Sequence, residues 1–379
     1  MHSFSDRPFL VIWEVTQACD LVCVHCRAAA QTWRHPLELS TDEGRRLIDQ
    51  VAEMQVPVFV LTGGDPLRRP DIYGLVEYAS QRGVRVSMTP SATPLLTEEA
   101  IREIKRRGLA RLAVSLDGSK AEIHDAFRGV AGSYTRTLEA IAWAREAGLP
   151  VQINTTITRR NLADFDALAN LLRGLDIVLW SIFFLVPTGR GRLSDLITAE
   201  EFEMIFEKIF RLVHRVSFDI KTTEAQHFRR FILQQTAQIR RRGGHFPPPR
   251  SEPPRRGDGI GRAPRGLNDG KGFAFVSHTG EVYPSGFLPL SAGNIRRQPL
   301  AEIYQRSPLF VALRDSSQLK GKCRECEFRE VCGGSRARAF ALTGDPLAEE
   351  PCCIYEPKVH HPERRLEELS VRDALPEGI

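Results

Sequence analysis

From residue 9 to about residue 215 the chain alternates six times between a short apolar run of strand character and a longer run of helical periodicity. The strand-like runs are Phe9–Thr16, Val58–Thr62, Val84–Thr89, Leu109–Leu116, Leu149–Ile157 and Ile177–Val186. Between and after them come the helix-like stretches Thr41–Met54, Pro70–Arg82, Thr97–Arg107, Tyr134–Glu146, Leu162–Leu172 and Thr198–His214. Strands separated by helices pair in parallel, through right-handed crossovers. Six such units predict an α/β fold, a partial (β/α)6 TIM-like barrel rather than a closed eight. A site in such a barrel lies at the C-terminal ends of its strands.

The loop after the first strand reads Thr16-Gln-Ala-Cys-Asp-Leu-Val-Cys-Val-His-Cys26, which brings Cys19, Cys23 and Cys26 together in C-x3-C-x2-C spacing. An iron–sulfur cube takes four ligands, so three thiolates leave one iron open. A zinc site or buried free thiols are the alternatives that spacing alone leaves. The other five of the eight cysteines lie far downstream: Cys323-x2-Cys326-x5-Cys332, then Cys352-Cys353. Four thiolates complete either a cube or a tetrahedral zinc site. Adjacent cysteines in extended chain face opposite ways, so one centre takes only one of the last two. Two clustered groups are a metal pattern rather than a disulfide ladder, and predict a reducing, cytoplasmic location.

The net charge of +5 is concentrated in one place. Residues 240–266 carry eight arginines against Glu252 and Asp258, and the remainder sums to −1. A nucleic-acid surface over the whole protein is therefore not expected. No targeting pattern precedes the first strand, and the longest apolar run, Ile177–Val186, is too short for a bilayer, so no membrane association is expected. The organisation predicted is a core over 8–215, a helical bridge over 216–239, an Arg/Pro/Gly-rich linker over 240–266, a cysteine-rich domain over 267–356 and a charged tail over 357–379. The last domain opens on a hairpin, Phe273–Ser277 and Glu281–Tyr283 around His278-Thr-Gly280.

Other residues at the strand ends have suitable chemistry. Gly63 and Gly64, in Thr62-Gly-Gly-Asp-Pro-Leu67, let backbone approach a ligand closely, or simply make a tight turn before Asp65. Ser115 and Asp117 alternate with apolar neighbours and face the barrel, or Asp117 caps a strand-end turn. Arg128 suits bidentate pairing with a carboxylate, in a ligand or in a surface ion pair. Asn154-Thr-Thr156 and Pro187-Thr-Gly-Arg-Gly191 lie at the barrel mouth.

Taken together, the cysteine triplet, the double glycine after strand two and the strand-four motif resemble the radical SAM superfamily. The resemblance implies a 4Fe-4S cluster on Cys19, Cys23 and Cys26 whose open iron is chelated by S-adenosyl-L-methionine. It implies further SAM contacts from Gly63, Gly64, Asp65, Ser115, Asp117 and Arg128, with His25 placed to pack on adenine. That family more often has Glu where this chain has Asp65. The C-terminal cysteines resemble the SPASM or twitch extensions, which implies an auxiliary 4Fe-4S cluster. Its ligands would be Cys323, Cys326, Cys332 and, from the pattern Glu350-Pro-Cys-Cys-Ile-Tyr-Glu-Pro357, Cys353. Ser285 and Ser335 stand where fuller SPASM domains have cysteines, so one auxiliary cluster is expected.

The Arg69-Pro-Asp-Ile72, Pro187–Gly191, Ala292-Gly-Asn-Ile-Arg296 and Cys-Gly-Gly-Ser-Arg-Ala-Arg-Ala runs look like the tetrapyrrole-modifying branch. That implies oxidative decarboxylation or trimming of tetrapyrrole side chains, with an electron donor such as flavodoxin or ferredoxin. Arg190, Arg192, His227, Arg229 and Arg230 are candidate clamps for propionate arms, or ordinary surface charges. The alternatives are a maturase acting on a ribosomal peptide and a non-catalytic metal-binding protein.

Overall fold

The computed structural model describes residues 4–244 and 266–358. Most of the arginine-rich segment, and the charged tail beyond Lys358, lie outside the described residues.

All six predicted strands are present, as β1 (Leu10–Thr16), β2 (Val58–Gly63), β3 (Val86–Met88), β4 (Arg111–Ser115), β5 (Val151–Ile157) and β6 (Leu179–Phe184). The helices between them are α1 (Thr41–Glu53), α2 (Ile72–Gln81), α3 (Glu98–Arg106), α4 (Ala121–Arg128), α5 (Ser133–Glu146) and α6 (Phe165–Arg173), with α7 (Ala199–Leu212) after β6. Neighbouring strands pair in parallel and in chain order. Helix starts follow local chemistry. Ser40 with Glu43 and Thr198 with Glu201 form capping boxes at α1 and α7, and Thr97 caps α3.

Two features go beyond the expected layout. The segment expected to be a helical bridge begins with a seventh parallel strand, β7 (Asp219–Thr223), followed by α8 (His227–Arg241). The predicted hairpin exists as β8 (Phe273–Val276) and β9 (Glu281–Tyr283), with a short β10 (Gly293–Asn294) beyond. But β8 also pairs in parallel with β1, Leu10 opposite Phe273 and Trp13 opposite Val276. The cysteine-rich domain is thus built onto the barrel sheet, whose full order is β10-β9-β8-β1-β2-β3-β4-β5-β6-β7. Among the described residues β7 and β8 do not pair, so the barrel stays open along that seam.

Alternation in β1 shows how the layers form. Val11, Trp13 and Val15 are fully buried in the core cluster with the surrounding helices, while Leu10 and Ile12 face the barrel interior. After β10 the chain makes α9 (Leu300–Arg306), α10 (Pro308–Arg314), α11 (Gly321–Glu325) and α12 (Arg336–Thr343); α11 carries Cys323, and α12 lies between Cys332 and Cys352.

Candidate active site

The first cysteine loop is stitched to the barrel by backbone bonds. Gln31 and Gln17 close its stem: the Cys19 N–H donates to Gln31 O at 2.8 Å, and the Gln31 N–H to Gln17 O at 3.1 Å. The N–H groups of Val22 and Val24 reach the last carbonyls of α4, Arg128 O and Phe127 O. Double glycine after β2 is required by this packing. A Cβ on Gly63, whose φ is +155, would stand 2.2 Å from Thr16 O, and one on Gly64 2.4 Å from Ala18 O. The N–H groups of Gly64 and Asp65 donate to those same two carbonyls. Gly63 and Gly64 therefore seat the cysteine loop as well as lining the cavity beneath it.

That cavity, of about 180 Å³, is lined by Cys19, Cys23, His25 and Cys26 together with Gly63, Gly64, Ser115, Arg128, Asn154 and Thr156. His25 lies against Phe127, ring centroids 4.4 Å apart, and burial first, then Arg128, holds its imidazole neutral well below the usual histidine range. Asp65 and Asp117, expected to touch the cofactor, are fully buried behind the lining instead. Asp65 accepts from the Thr93 hydroxyl at 2.7 Å and from the N–H groups of Leu67 and Ser91, tying the β2 and β3 loops together. Its burial pushes the carboxyl up to about 6. Asp117 forms a buried ion pair with Arg128 and accepts the Thr156 N–H at 2.8 Å. Arg128 also points Nη1 at Cys23 Sγ, 3.7 Å away. Burial opposes its charge, but Asp117 and the Cys23 sulfur more than offset that and hold the guanidinium charged.

The three thiols suit an iron–sulfur cluster by their surroundings. Burial pushes Cys19 up to about 11, so its thiolate needs compensating charge, which a metal supplies. N–H donors already face the sulfurs: Leu21 to Cys19 at 3.4 Å and Ala30 to Cys26 at 3.5 Å.

Strand six contributes differently from expectation. Arg190, a predicted propionate clamp, instead holds the cysteine loop. Its N–H donates to Cys26 O, Nε to Cys23 O and Nη1 to Ala30 O, each at 2.9 Å. Gly189, at φ +59, is needed because a Cβ there would lie 2.3 Å from Arg27 O. Among the other clamps expected, Arg192 is exposed, and His227 is sealed among Phe202 and Phe206, pushed down to about 3 by burial. Arg230 pairs with Glu203, and only Arg229 faces the barrel interior.

A second cavity of about 230 Å³ fills that interior and shares six lining residues with the first, Arg27, Thr62, Thr89, Asn154, Phe183 and Phe287. Arg27 donates to Glu14 at 2.9 Å, lies 4.5 Å over the Phe275 ring, and reaches both spaces. His278 Nδ1 donates to the other Glu14 oxygen, 2.8 Å away. Arg111, Lys221 and Arg229 line the same barrel cavity. Arg27, Arg111 and Lys221 were missed in the sequence because nothing local marks them; position 27, one residue after the last cysteine of the triplet, was the one available hint.

The second cysteine group converges as expected. Cys323, Cys326, Cys332 and Cys353 line one small cavity, and Cys352 does not. Cys352 turns into the core beside Arg338, 6% exposed. Gly334 N–H faces Cys332 Sγ at 3.4 Å and Glu350 N–H faces Cys323 Sγ at 3.3 Å, so this site too offers donors to thiolates. Ser285 and Ser335, buried at 2% and 0% exposure, serve turns and the α12 cap.

Comparison with known proteins agrees with this geometry. Residues 13–172 match the radical SAM superfamily and residues 268–327 match SPASM, an iron–sulfur cluster-binding domain. The chain is 42% identical to the AdoMet-dependent heme synthase of Methanosarcina barkeri, over 94% of this chain and 99% of that one. It is 41% identical to that of Nitratidesulfovibrio vulgaris, over 92% and 93%. Among solved structures, Streptococcus suis SuiB shares the fold, with a TM-score of 0.70 at 16% identity over 92% of this chain and 78% of SuiB. No helix among the described residues is long and apolar enough to cross a membrane. The chain belongs to the radical SAM superfamily, as an enzyme of its SPASM-bearing, haem-pathway branch that uses a 4Fe-4S cluster with SAM and an auxiliary iron–sulfur cluster.

Proposed function

We propose that this enzyme converts propionate arms of an iron porphyrin to vinyl groups by oxidative decarboxylation, the step that finishes a haem. The observation that carries the reading is the continuity of the two cavities. A ligand in the barrel, among Arg27, Arg111, Lys221 and Arg229, lies directly beside the space framed by Cys19, Cys23 and Cys26. Guanidinium groups suit carboxylate arms, and Phe183, Phe273, Phe275 and Phe287 suit a flat macrocycle.

Cys19, Cys23 and Cys26 would hold the cluster that binds SAM, and Cys323, Cys326, Cys332 and Cys353 the auxiliary one. When bound, cluster and SAM supply a hydrogen-abstracting radical. The chain's own residues orient and shield. Arg190 and the two glycines fix the cysteine loop, His25 offers a neutral flat face, and Arg27 grips an arm at the boundary of the cavities. For each arm one C–H and one C–C bond break and a C=C bond forms. A hydrogen atom, CO₂ and one electron leave, and this balance needs the acceptor that the C-terminal domain provides. An external reductant, such as flavodoxin or ferredoxin, and a reducing cytoplasm complete the reading.

The identity to heme synthases along nearly the whole chain supports this substrate, whereas the likeness to SuiB is one of fold. The test is anaerobic incubation with SAM, a low-potential reductant and iron coproporphyrin III, followed by mass analysis. The product should be lighter by CO₂ and two hydrogens per arm. SAM consumed with the porphyrin unchanged would return the choice to a peptide substrate.

A further inference from the structure

The first turn of α8 separates two cavities. Gln226, its N-cap, and Arg229 line the barrel cavity, whereas His227 and Arg230 line the small cavity framed by Cys323, Cys326, Cys332 and Cys353. Residues three apart share a face of a helix, so the partition is one helix thick, about 10 Å. The barrel-facing side chains also hold the cysteine segment from behind. Arg229 Nη1 donates at 3.1 Å to Val331 O, an atom of the peptide that joins Val331 to Cys332, and Nη2 donates to Leu267 O at 2.8 Å. Gln226 Nε2 donates to Asn268 Oδ1, and Asn268 Nδ2 to Gly334 O, each at 2.9 Å. Asn268 lines the barrel cavity too, and it is the Gly334 N–H that faces the Cys332 sulfur.

Arg229 differs from the other guanidinium groups near the two clusters. Arg128, Arg230 and Arg338 each pair with a carboxylate, of Asp117, Glu203 and Glu350. Arg229 gives two N–H groups to carbonyls and, among the described residues, meets no carboxylate. Its charge is left to be matched from outside the chain, by an anion in the barrel on one side and by a thiolate-held cluster on the other. A cation beside an iron–sulfur cluster favours the reduced, more negative state, and an anion that offsets the cation does the reverse.

We propose that Arg229 grips a carboxylate arm of the barrel ligand and couples that arm to the reduction potential of the auxiliary cluster. This deepens the tetrapyrrole reading and rests on it. Arg27 takes an arm at the boundary with the first cluster's cavity, and Arg229 takes another at the partition. An arm on Arg229 lowers the potential of the auxiliary cluster. The coupling is reciprocal, so an electron received by that cluster weakens the hold on the arm. The surplus electron of each decarboxylation thereby loosens the product as it arrives.

The test is a potentiometric titration of the cluster-loaded protein followed by electron paramagnetic resonance, with added SAM marking the first cluster's signal. The ligand is zinc coproporphyrin III, whose metal keeps one oxidation state and gives no signal. Zinc octaethylporphyrin, which has no carboxyl arms, is the comparison. In the unaltered protein coproporphyrin should bind the reduced state roughly tenfold more weakly, which lowers the auxiliary potential by about 59 mV, and octaethylporphyrin should not. Arg229→Gln should have a lower potential without ligand, bind coproporphyrin about tenfold more weakly and lose the ligand-dependent shift. Arg229→Lys keeps a charge in place and should keep a shift in the same direction. Exposed Arg329→Gln removes another cation from the cysteine cavity and should keep the whole shift. Coproporphyrin bound with the potential unmoved, or a full shift in Arg229→Gln, would overturn the coupling and leave the tetrapyrrole reading standing. No coproporphyrin bound to the unaltered protein would overturn both. If Arg229→Gln loses the auxiliary signal, the unaltered protein and Arg229→Lys still decide.

Discussion

Arg338 Nε donates to Glu350 Oε1 at 2.9 Å, with the two side chains 0% and 1% exposed. The same guanidinium reaches Leu185 O at the end of β6 and Glu224 O at the end of β7. The same carboxylate accepts the N–H groups of Ser335 and Cys352. This one pair therefore joins the barrel rim to the segment that presents the last two cysteines. Burial works against the Glu350 charge, but Arg338 and then His227 hold its carboxyl down at about 2. Breaking a buried pair by removing one partner costs about 3–5 kcal/mol. Arg338→Met should lower stability by that order in anaerobic denaturant unfolding and reduce the iron bound by the C-terminal site.

Because the Glu350 carboxylate draws the Cys352 backbone inward, Cys353 faces the other three thiols. Cys353→Ala should leave about four irons of roughly eight per chain, while Cys352→Ala should retain them all. Iron analysis after anaerobic reconstitution decides between them. The opposite result would shift the ligand by one residue.

Arg128 has two partners inside the protein, Asp117 and the Cys23 sulfur, besides facing the SAM cavity. Arg128→Ala leaves Asp117 buried without its cation, so a loss of about 3–5 kcal/mol in stability is expected alongside weaker SAM binding. Asp117→Asn with Arg128→Gln should recover much of the stability but not the SAM affinity. Calorimetric titration with SAM checks this. Full recovery of affinity in the double variant would confine Arg128 to a structural role.

Gly64→Ala puts a methyl group 2.4 Å from Ala18 O, inside the stem of the cysteine loop. The loop must shift, so this variant should lose the first cluster's iron and keep the second's. Gly74→Ala, where an added Cβ meets nothing within 4 Å, is the control and should leave both unchanged.

Arg27 reaches both cavities, so Arg27→Gln should weaken iron coproporphyrin III by about tenfold or more in a Soret titration. Exposed Arg192→Gln should have no effect. Equal affinities for the two variants would remove Arg27 from the substrate site.

The sequence was most legible where partners are close along the chain. The cysteine triplet, the double glycine and the six central strands all announce themselves within a dozen residues. Strand β7 was missed because Asp-Ile-Lys-Thr-Thr has a single apolar residue, being paired on one side only and facing the cavity with polar groups. The parallel pairing of β8 with β1 joins residues some 260 positions apart, and no local pattern records it. The predicted clamps failed for a related reason. Arg190 and Arg230 have the right charge near the right strand ends, but the cysteine-loop carbonyls and Glu203 occupy them. The barrel's cations become neighbours only when distant strands close around one space.

The three hydrogen bonds from Arg190 to the cysteine loop have a consequence for how the protein matures. A nascent chain emerges N-terminus first, so all three thiols are outside the ribosome long before residue 190 has been synthesised. Until then Cys23 O, Cys26 O and Ala30 O lack the residue that shapes the loop around them. The final shape of the first site thereby waits on completion of the sixth strand, and a chain truncated before it carries the whole cysteine motif without these three bonds.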